Sequence, residues 1–370
     1  MKEQLVQVID KKDLQVLILT DGYNIHHLSG YRGHTGMLVV FQGEQYILTD
    51  SRYTEQVELE APEFTCVDIG REGYSKTIAG MLQKAFAKEG RSTLRIGFEN
   101  KEISYMQYQA LVDTFAKELT GMQVEFVPLE DAVNVYREVK TEDEIAKLAR
   151  AEQIGDEAFT EIVKFIHENW KDGLTEQRVA LQLEYEMRLR GAEGTSFDTI
   201  AASGSNSSLP HAMPQPKLLT EGDFLTMDFG CMYQGYCSDM TRTIHIGEVV
   251  ESEQKKVYDT VLQAQLAALS VVKPGMVCSD VDKCARDIIA DAGYGDYFGH
   301  GLGHSVGLFI HEEPRFSMKC DAVLKPGVVI TVEPGIYLPG RFGIRIEDMI
   351  VVTEDGYQNL ASSPKELICV

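Results

Sequence analysis

The sequence predicts a chain of two domains: a small α/β domain, then a larger α+β domain built on an internal pseudo-twofold duplication. Three observations carry this reading. The first is a change of pattern, because residues 1–130 alternate short apolar runs with amphipathic helices, whereas the rest opens on a long helix and ends in glycine-punctuated hairpins. The second is self-similarity. The segment "LLTEGDFLTMDFG" from Leu218 matches "VLKPGVVITVEPG" from Val323 at a constant offset of 105, bringing Leu219 onto Leu324, Gly222 onto Gly327, Asp228 onto Glu333 and Gly230 onto Gly335. Upstream, Gly173, Val179 and Gly191 fall on Gly275, Val281 and Gly293 at an offset of 102, and His211 in "LPHAMP" echoes His311 in "FIHEEP". Three segments in register describe a duplicated helix, helix, hairpin unit whose halves face each other. The third observation is the series Asp228, Asp239, His304, Glu333 and Glu347, whose order and spacing can enclose two divalent cations.

In the first domain "QVLIL", "GMLVVF", "QYILT" and "LRIGF" read as strands, and Ser104 with Gln107 forms the capping box of a helix. A polar connector follows Pro128. The second domain, 138–370, begins where Thr141 and Glu144 cap a long helix with Ile145, Leu148, Ala151, Phe159, Ile162, Val163 and Ile166 on one stripe. Its first hairpin, "FLTMDFGCMYQGYCSDMTRTIHIG", turns near Gly235, so pairing is expected to set Asp228 opposite Asp239. The second, "VVITVEPGIYLPGRFGIRIEDMIVV", places Glu333 and Glu347 symmetrically about Gly340, and the two-residue period puts Arg345 on the strand face of Glu347. Taken singly, each acid would read as solvated surface charge in a chain with 57 acidic residues. Four carboxylates at close quarters repel by several kcal/mol unless cations or protons neutralise them. Oxygen-rich ligation with one imidazole favours Mn²⁺, Co²⁺, Fe²⁺ or Zn²⁺, and two such ions ~3.5–4 Å apart suit hydrolysis of an acyl bond.

The strings "DFGCMYQGYCSDMTRT", "HGLGHSVGLFIHEEP", "TVEPGIY" and "IRIED" resemble the signature blocks of the proline-specific metallopeptidases with the pita-bread fold, Xaa-Pro dipeptidase and aminopeptidase P. "TDGYNIHHLSGY" and "TDSRY" resemble the creatinase-type N-terminal domain those enzymes carry, which methionine aminopeptidases lack. The resemblance implies that Asp239 and Glu347 bridge two metals, that Asp228 chelates one, and that His304 with Glu333 holds the other. It implies further that Glu333 accepts the proton of the attacking water, and that His211 stabilises the oxyanion. His311 would contact the scissile group or the proline carbonyl, and Arg345 would orient Glu347 or bridge to Asp239. His300 and Tyr337 are candidates for the substrate side of the site, with backbone support as the other reading of His300. His34 in "YRGHTGML" is a substrate candidate because related dimers insert an N-terminal loop into the neighbouring site. The glycines Gly301, Gly303 and Gly307 are expected to permit close packing around His304.

The function so implied is metal-dependent hydrolysis of Xaa-Pro bonds in small peptides with proline second. Dipeptidase activity is preferred, with manganese first among manganese, cobalt and zinc, and the chain is expected as a homodimer. Aminopeptidase P activity on longer peptides is the alternative, and a non-catalytic binding module is the second. A net charge of −22 argues against nucleic acid and anionic membranes as partners. Seven cysteines without CxxC spacing, no apolar leader and no long apolar run predict a cytoplasmic chain with free thiols, Cys231 and Cys237 among them as buried fillers.

Overall fold

Strand β1 (Val16–Leu19) is apolar at every position because both of its faces are covered. Leu17 and Leu19 enter a cluster with Val8, Ile25, Leu28 and Val57, while Val16 and Ile18 enter another with Ile78, Leu82 and Phe115. Five further strands complete a mixed sheet: β2 (Met37–Phe41), β3 (Glu44–Thr49), β4 (Thr65–Asp68), β5 (Thr93–Phe98) and β6 (Gln123–Pro128), in the order β4-β3-β2-β1-β5-β6. Helices α1 (Glu3–Lys12), α2 (Gly22–Ser29) and α3 (Thr54–Glu60) cover one face, and α4 (Gly73–Phe86) and α5 (Tyr105–Glu118) the other. The capping box at α5 is formed, with the Gln107 N–H donating to Ser104 Oγ at 3.2 Å and the Ser104 N–H to Gln107 Oε1 at 3.0 Å. The edge strands β4 and β6 lack the apolar runs that mark the others. The computed structural model describes residues 3–370 apart from 88, 90 and 249, and this α/β unit spans Met1–Arg137.

The second unit, Glu138–Val370, holds the duplication. Its first half comprises α6 (Glu142–Asn169), α7 (Glu176–Leu189), β7 (Gly194–Thr195), β8 (Ile200–Ser203), β9 (Phe224–Phe229), β10 (Cys231–Tyr233), β11 (Tyr236–Cys237) and β12 (Met240–His245). Its second half comprises α8 (Ser252–Val271), α9 (Cys278–Asp291), β13 (Gly303–Ser305), β14 (Glu312–Phe316), β15 (Val329–Val332), β16 (Gly335–Leu338), β17 (Phe342–Arg345), β18 (Asp348–Val352) and β19 (Tyr357–Asn359). α7 and α9 have the same 14-residue length at an offset of 102, each preceded by an isolated bridge to the segment that leads into β9 or β15: Thr175↔Leu218 and Val277↔Val323. The tight turns before β9 and β15 also correspond, the Gly222 N–H bonding Ile246 O at 2.8 Å and the Gly327 N–H bonding Val352 O at 2.9 Å. Each half has its own core, Phe159, Leu183, Met227 and Ile244 in one and Val261, Ile289, Ile330 and Ile350 in the other.

The two hairpins differ from the expected pairing in one respect. In the second, Val332↔Asp348 and Gly335↔Arg345 share one register, which sets Glu333 opposite Glu347 as expected. In the first, Asp228 pairs with Thr241 rather than Asp239. The turn is centred between Gln234 and Gly235, both at positive φ (49° and 83°), so the register lies two residues from the expected one. Asp239 is then diagonal to Asp228 on the same face.

Candidate metal centre

Asp228 is the penultimate residue of β9, Asp239 immediately precedes β12, Glu333 follows β15 and Glu347 precedes β18, so four strand ends deliver carboxylates to one place. β13 adds His304, whose Nε2 lies 3.5 Å from both Asp239 Oδ2 and Glu333 Oε1. Donor atoms of Asp239, His304 and Glu347 all fall within 4.8 Å of one another. The His304 Nδ1–H is used by the Ser305 carbonyl at 3.2 Å, which leaves the Nε2 lone pair facing the acids. Gly303 fixes this approach: a Cβ there would lie 2.0 Å from Thr331 O, so only glycine lets β13 run this close to β15. Cβ atoms at Gly301 and Gly307 would likewise press on Phe316 O and the Glu312 carboxylate.

Burial and mutual repulsion set the electrostatics. Burial first, then the charges of Glu347, Asp228 and Glu333, pushes the Asp239 carboxyl well above its usual range. Glu347 is raised for the same reasons, and burial lifts Glu333 to about 8. His304 is pushed down to about 3 by burial and by His311, whose ring centroid is 4.5 Å away. Among the described residues, Asp228 Oδ1 and Glu347 Oε1 are buried without a hydrogen-bond partner. Orphaned carboxylate oxygens beside an imidazole that is neutral at pH 7 fit divalent cations in number, kind and charge, because each cation would satisfy oxygens that nothing else satisfies.

Basic and hydroxyl groups brace the cluster from behind. Arg345 Nη2 donates to Asp228 Oδ2 at 2.5 Å, its Nε to Thr241 Oγ1 at 3.0 Å and its Nη1 to the Tyr337 hydroxyl at 2.7 Å. Thr241 Oγ1 donates in turn to Glu347 Oε2 at 2.6 Å, so Arg345 reaches Glu347 through a threonine and contacts Asp228 directly, with no bond to Asp239. The Tyr337 hydroxyl lies 3.0 Å from His300 Nε2, and His300 Nδ1 lies 2.8 Å from Gly301 O. Both nitrogens of His300 are therefore engaged by protein, and burial lowers its pKa to about 4.

The cluster forms part of the wall of a cavity of about 860 Å³ that is also lined by His211, His300, His311, Asp198, Arg315 and Phe197. His211 and His311 are exposed on its wall, whereas Tyr337 is buried behind His300. His34 lies in the first unit, exposed between α2 and β2. Sequence reasoning passed over Thr241, Arg315 and Asp198. Thr241 alone carried a signal, since it follows Asp239 by two residues and so shares its strand face. Cys231 and Cys237 are buried, as fillers would be.

The comparisons with known proteins agree with this geometry. Residues 146–354 match the model of metallopeptidase family M24, and residues 2–139 match that of the creatinase/prolidase N-terminal domain. An Xaa-Pro dipeptidase of Pyrococcus furiosus is 37% identical over 367 residues, 99% of either chain. Among solved structures, an Xaa-Pro dipeptidase from Bacillus anthracis has a TM-score of 0.89 at 38% identity, covering 100% of this chain and 98% of that one. An X-Pro aminopeptidase from Thermotoga maritima has a TM-score of 0.85 at 36% identity, covering 98% and 100%.

Proposed function

The chain belongs to metallopeptidase family M24, and from that premise we propose that it hydrolyses the bond before proline in Xaa-Pro dipeptides, using two divalent cations. The observation that carries the reading is the meeting of four carboxylates and His304 beside a cavity whose wall also offers the arginine Arg315. A dipeptidase must bind the carboxylate directly after the proline, and a guanidinium is suited to that task. In this reading Asp228, Asp239, His304, Glu333 and Glu347 hold the cations, manganese before cobalt or zinc. When bound, the ions supply Lewis acidity toward the scissile carbonyl and make water a competent nucleophile near neutral pH.

The remaining roles fall to protein groups. Glu333, steadied by the Thr331 hydroxyl at 3.3 Å, takes the proton from the attacking water and passes it to the departing proline nitrogen. His211 and His311, on the cavity wall, donate hydrogen bonds to the scissile group as negative charge develops on its oxygen. Arg345 compensates Asp228 and, through Thr241, orients Glu347. The Xaa-Pro amide has no N–H for a peptidase to grip, so the pyrrolidine ring itself must be recognised. Full use of both His300 nitrogens supports a role for its ring, backed by Tyr337, as an apolar wall for that pyrrolidine.

The second reading, an aminopeptidase acting on longer Xaa-Pro peptides, is favoured by the likeness to the Thermotoga maritima enzyme and by a cavity larger than a dipeptide fills. The proposal extends to a homodimer and, on seven free thiols, to a reducing cytoplasm. No described helix is long and apolar enough to cross a membrane. Gel filtration checks the dimer, and unchanged kinetics in His34→Ala removes the substrate role proposed for that residue.

The deciding experiment strips the protein with chelator, restores Mn²⁺, Co²⁺ or Zn²⁺ separately, and assays Ala-Pro, Ala-Pro-Ala and Ala-Ala. Metal-restored cleavage confined to Ala-Pro is the expected result, and cleavage of the tripeptide selects the second reading. No cleavage under any metal rejects both.

A further inference from the structure

We infer that Glu176 is a positioning residue that sets the place of His211 against the metal centre; this deepens the Xaa-Pro reading and rests on the oxyanion role given there to His211. Glu176 opens α7 and is fully buried, outside both the carboxylate cluster and the cavity wall. Its carboxylate is nonetheless fully engaged. Oε1 accepts the Ser203 N–H at 2.6 Å and the Ser203 hydroxyl at 2.8 Å, while Oε2 accepts an Asn206 Nδ2–H at 2.7 Å and the Gln215 N–H at 3.0 Å.

All four donors belong to one segment, 203–215, which leaves the end of β8, passes through a short helical turn at Gly204–Ser208 and returns to α7. His211 lies inside it, on the cavity wall. Further bonds close the base of this loop: the Glu176 N–H donates to Lys217 O at 3.1 Å, the Gln177 N–H to Gln215 O at 3.2 Å, and Lys217 Nζ to Ser203 O at 2.6 Å. Both ends of the loop are therefore pinned on one carboxylate.

Its far side meets the metal centre. Arg345, which donates to Asp228, also donates through Nη1 to Pro210 O at 3.4 Å, one residue before His211. The Gly343 N–H donates to Ser207 Oγ at 2.9 Å, and a Cβ on Gly343 would lie 2.1 Å from Ser207 O. Among the described residues nothing hydrogen-bonds the His211 ring, so its place is set through the backbone that carries it.

A carboxylate suits this task because it offers acceptors alone. Each of its oxygens takes one backbone N–H, so in Glu176→Gln either orientation of the amide turns its NH₂ against a donor that cannot rotate away. The base of the loop opens on that side while the volume of the side chain stays nearly the same. A displacement of about 1 Å at a group that must meet the scissile oxygen costs about 10²-fold in rate.

The test measures kcat and KM for Ala-Pro with full-length, Mn²⁺-loaded Glu176→Gln, His211→Ala and the double variant. Glu176→Gln is expected to lower kcat roughly 10- to 100-fold with KM within about threefold, because an oxyanion contact acts in the transition state. In the His211→Ala background the same substitution is expected to cost less than about threefold, since an absent histidine cannot be misplaced. Calorimetric Mn²⁺ stoichiometry is expected to match the wild type. Should Glu176→Gln not fold, Asn206→Ala, which leaves the other three bonds, carries the same comparison with a smaller loss of kcat. An unchanged kcat, an equal loss in both backgrounds or a fall in Mn²⁺ stoichiometry overturns the inference while the Xaa-Pro reading stands. Failure of the wild-type protein to cleave Ala-Pro overturns both.

Discussion

The hairpins β9–β12 and β15–β18 share an antiparallel frame and differ in their functional side chains. Asp228 corresponds to Glu333 at an offset of 105; because Met227 faces Arg242 while Val332 faces Asp348, the second strands correspond at an offset of 106. Thr241 is therefore the counterpart of Glu347, Asp239 of Arg345 and Arg242 of Asp348. The counterparts meet: Thr241 Oγ1 donates to Glu347 at 2.6 Å, and Arg242 Nη2 pairs with Asp348 at 2.8 Å with both side chains buried. The pseudo-twofold axis passes between β12 and β18. Duplication supplied a frame with four strand ends pointing at one spot, and divergence made the two sides unlike. One half presents two acids, whereas the other presents two acids, an imidazole and, where its twin has Asp239, an arginine that neutralises Asp228.

Removing an acid from this arrangement should have the largest effect. Glu347→Gln keeps the Thr241 contact but removes one of the four carboxylate charges available to the cations, and kcat/KM for Ala-Pro is expected to fall by roughly 10³-fold or more. Retention of more than a tenth of the activity would mean that the hairpins do not act jointly. Next come the two counterparts that pair on the axis. Arg242→Met leaves Asp348 buried beside Lys365, Gln265 and Asn359 alone, and urea unfolding should show a loss of about 3–5 kcal/mol. The double variant Arg242→Met with Asp348→Leu should lose clearly less than the two single losses added. Strict additivity would show that the axis contact is not an energetic pair.

The features of the fold and site that the sequence makes legible have local causes. Capping boxes at Ser104 and Thr141 declare themselves within four residues, and the glycines bracketing α7 and α9 are forced by turns that any copy of the unit must repeat. The acids stand out because strand interiors avoid charge. Thr241 and Arg242 stay hidden for the opposite reason. Threonine is an ordinary strand residue, and the partners of both lie more than 100 positions away, so only the folded pairing of the halves assigns them work. The register of the first hairpin was missed because Gln234 takes a positive φ usually left to Asn, Asp or Gly.

Smaller effects sharpen the comparison further. Thr241→Val cuts the link from Arg345 to Glu347, and metal affinity measured by chelator competition should drop about 10- to 100-fold, with Thr241→Ser restoring most of it. An unaltered affinity would leave the threonine a mere strand residue. The pH dependence of the metal-free protein is subtler. Glu333, raised by burial from its ordinary 4.5 to about 8, keeps a proton in the folded state that the unfolded chain has released. Its contribution to stability is complete below about pH 4.5 and is lost as pH rises toward 8. Thermal unfolding of stripped protein should therefore show Tm falling between pH 5 and pH 8, with added Mn²⁺ raising Tm more at pH 8. A Tm that climbs over this window without metal would contradict the repulsion assigned to the cluster.

In the proposed reading the two unlike halves together hold a pair of cations. Calorimetric titration of chelator-stripped protein with Mn²⁺ measures this directly. Saturation at two equivalents per chain is the expected result; saturation at one, or no saturable binding, would mean that the halves do not hold a pair of cations.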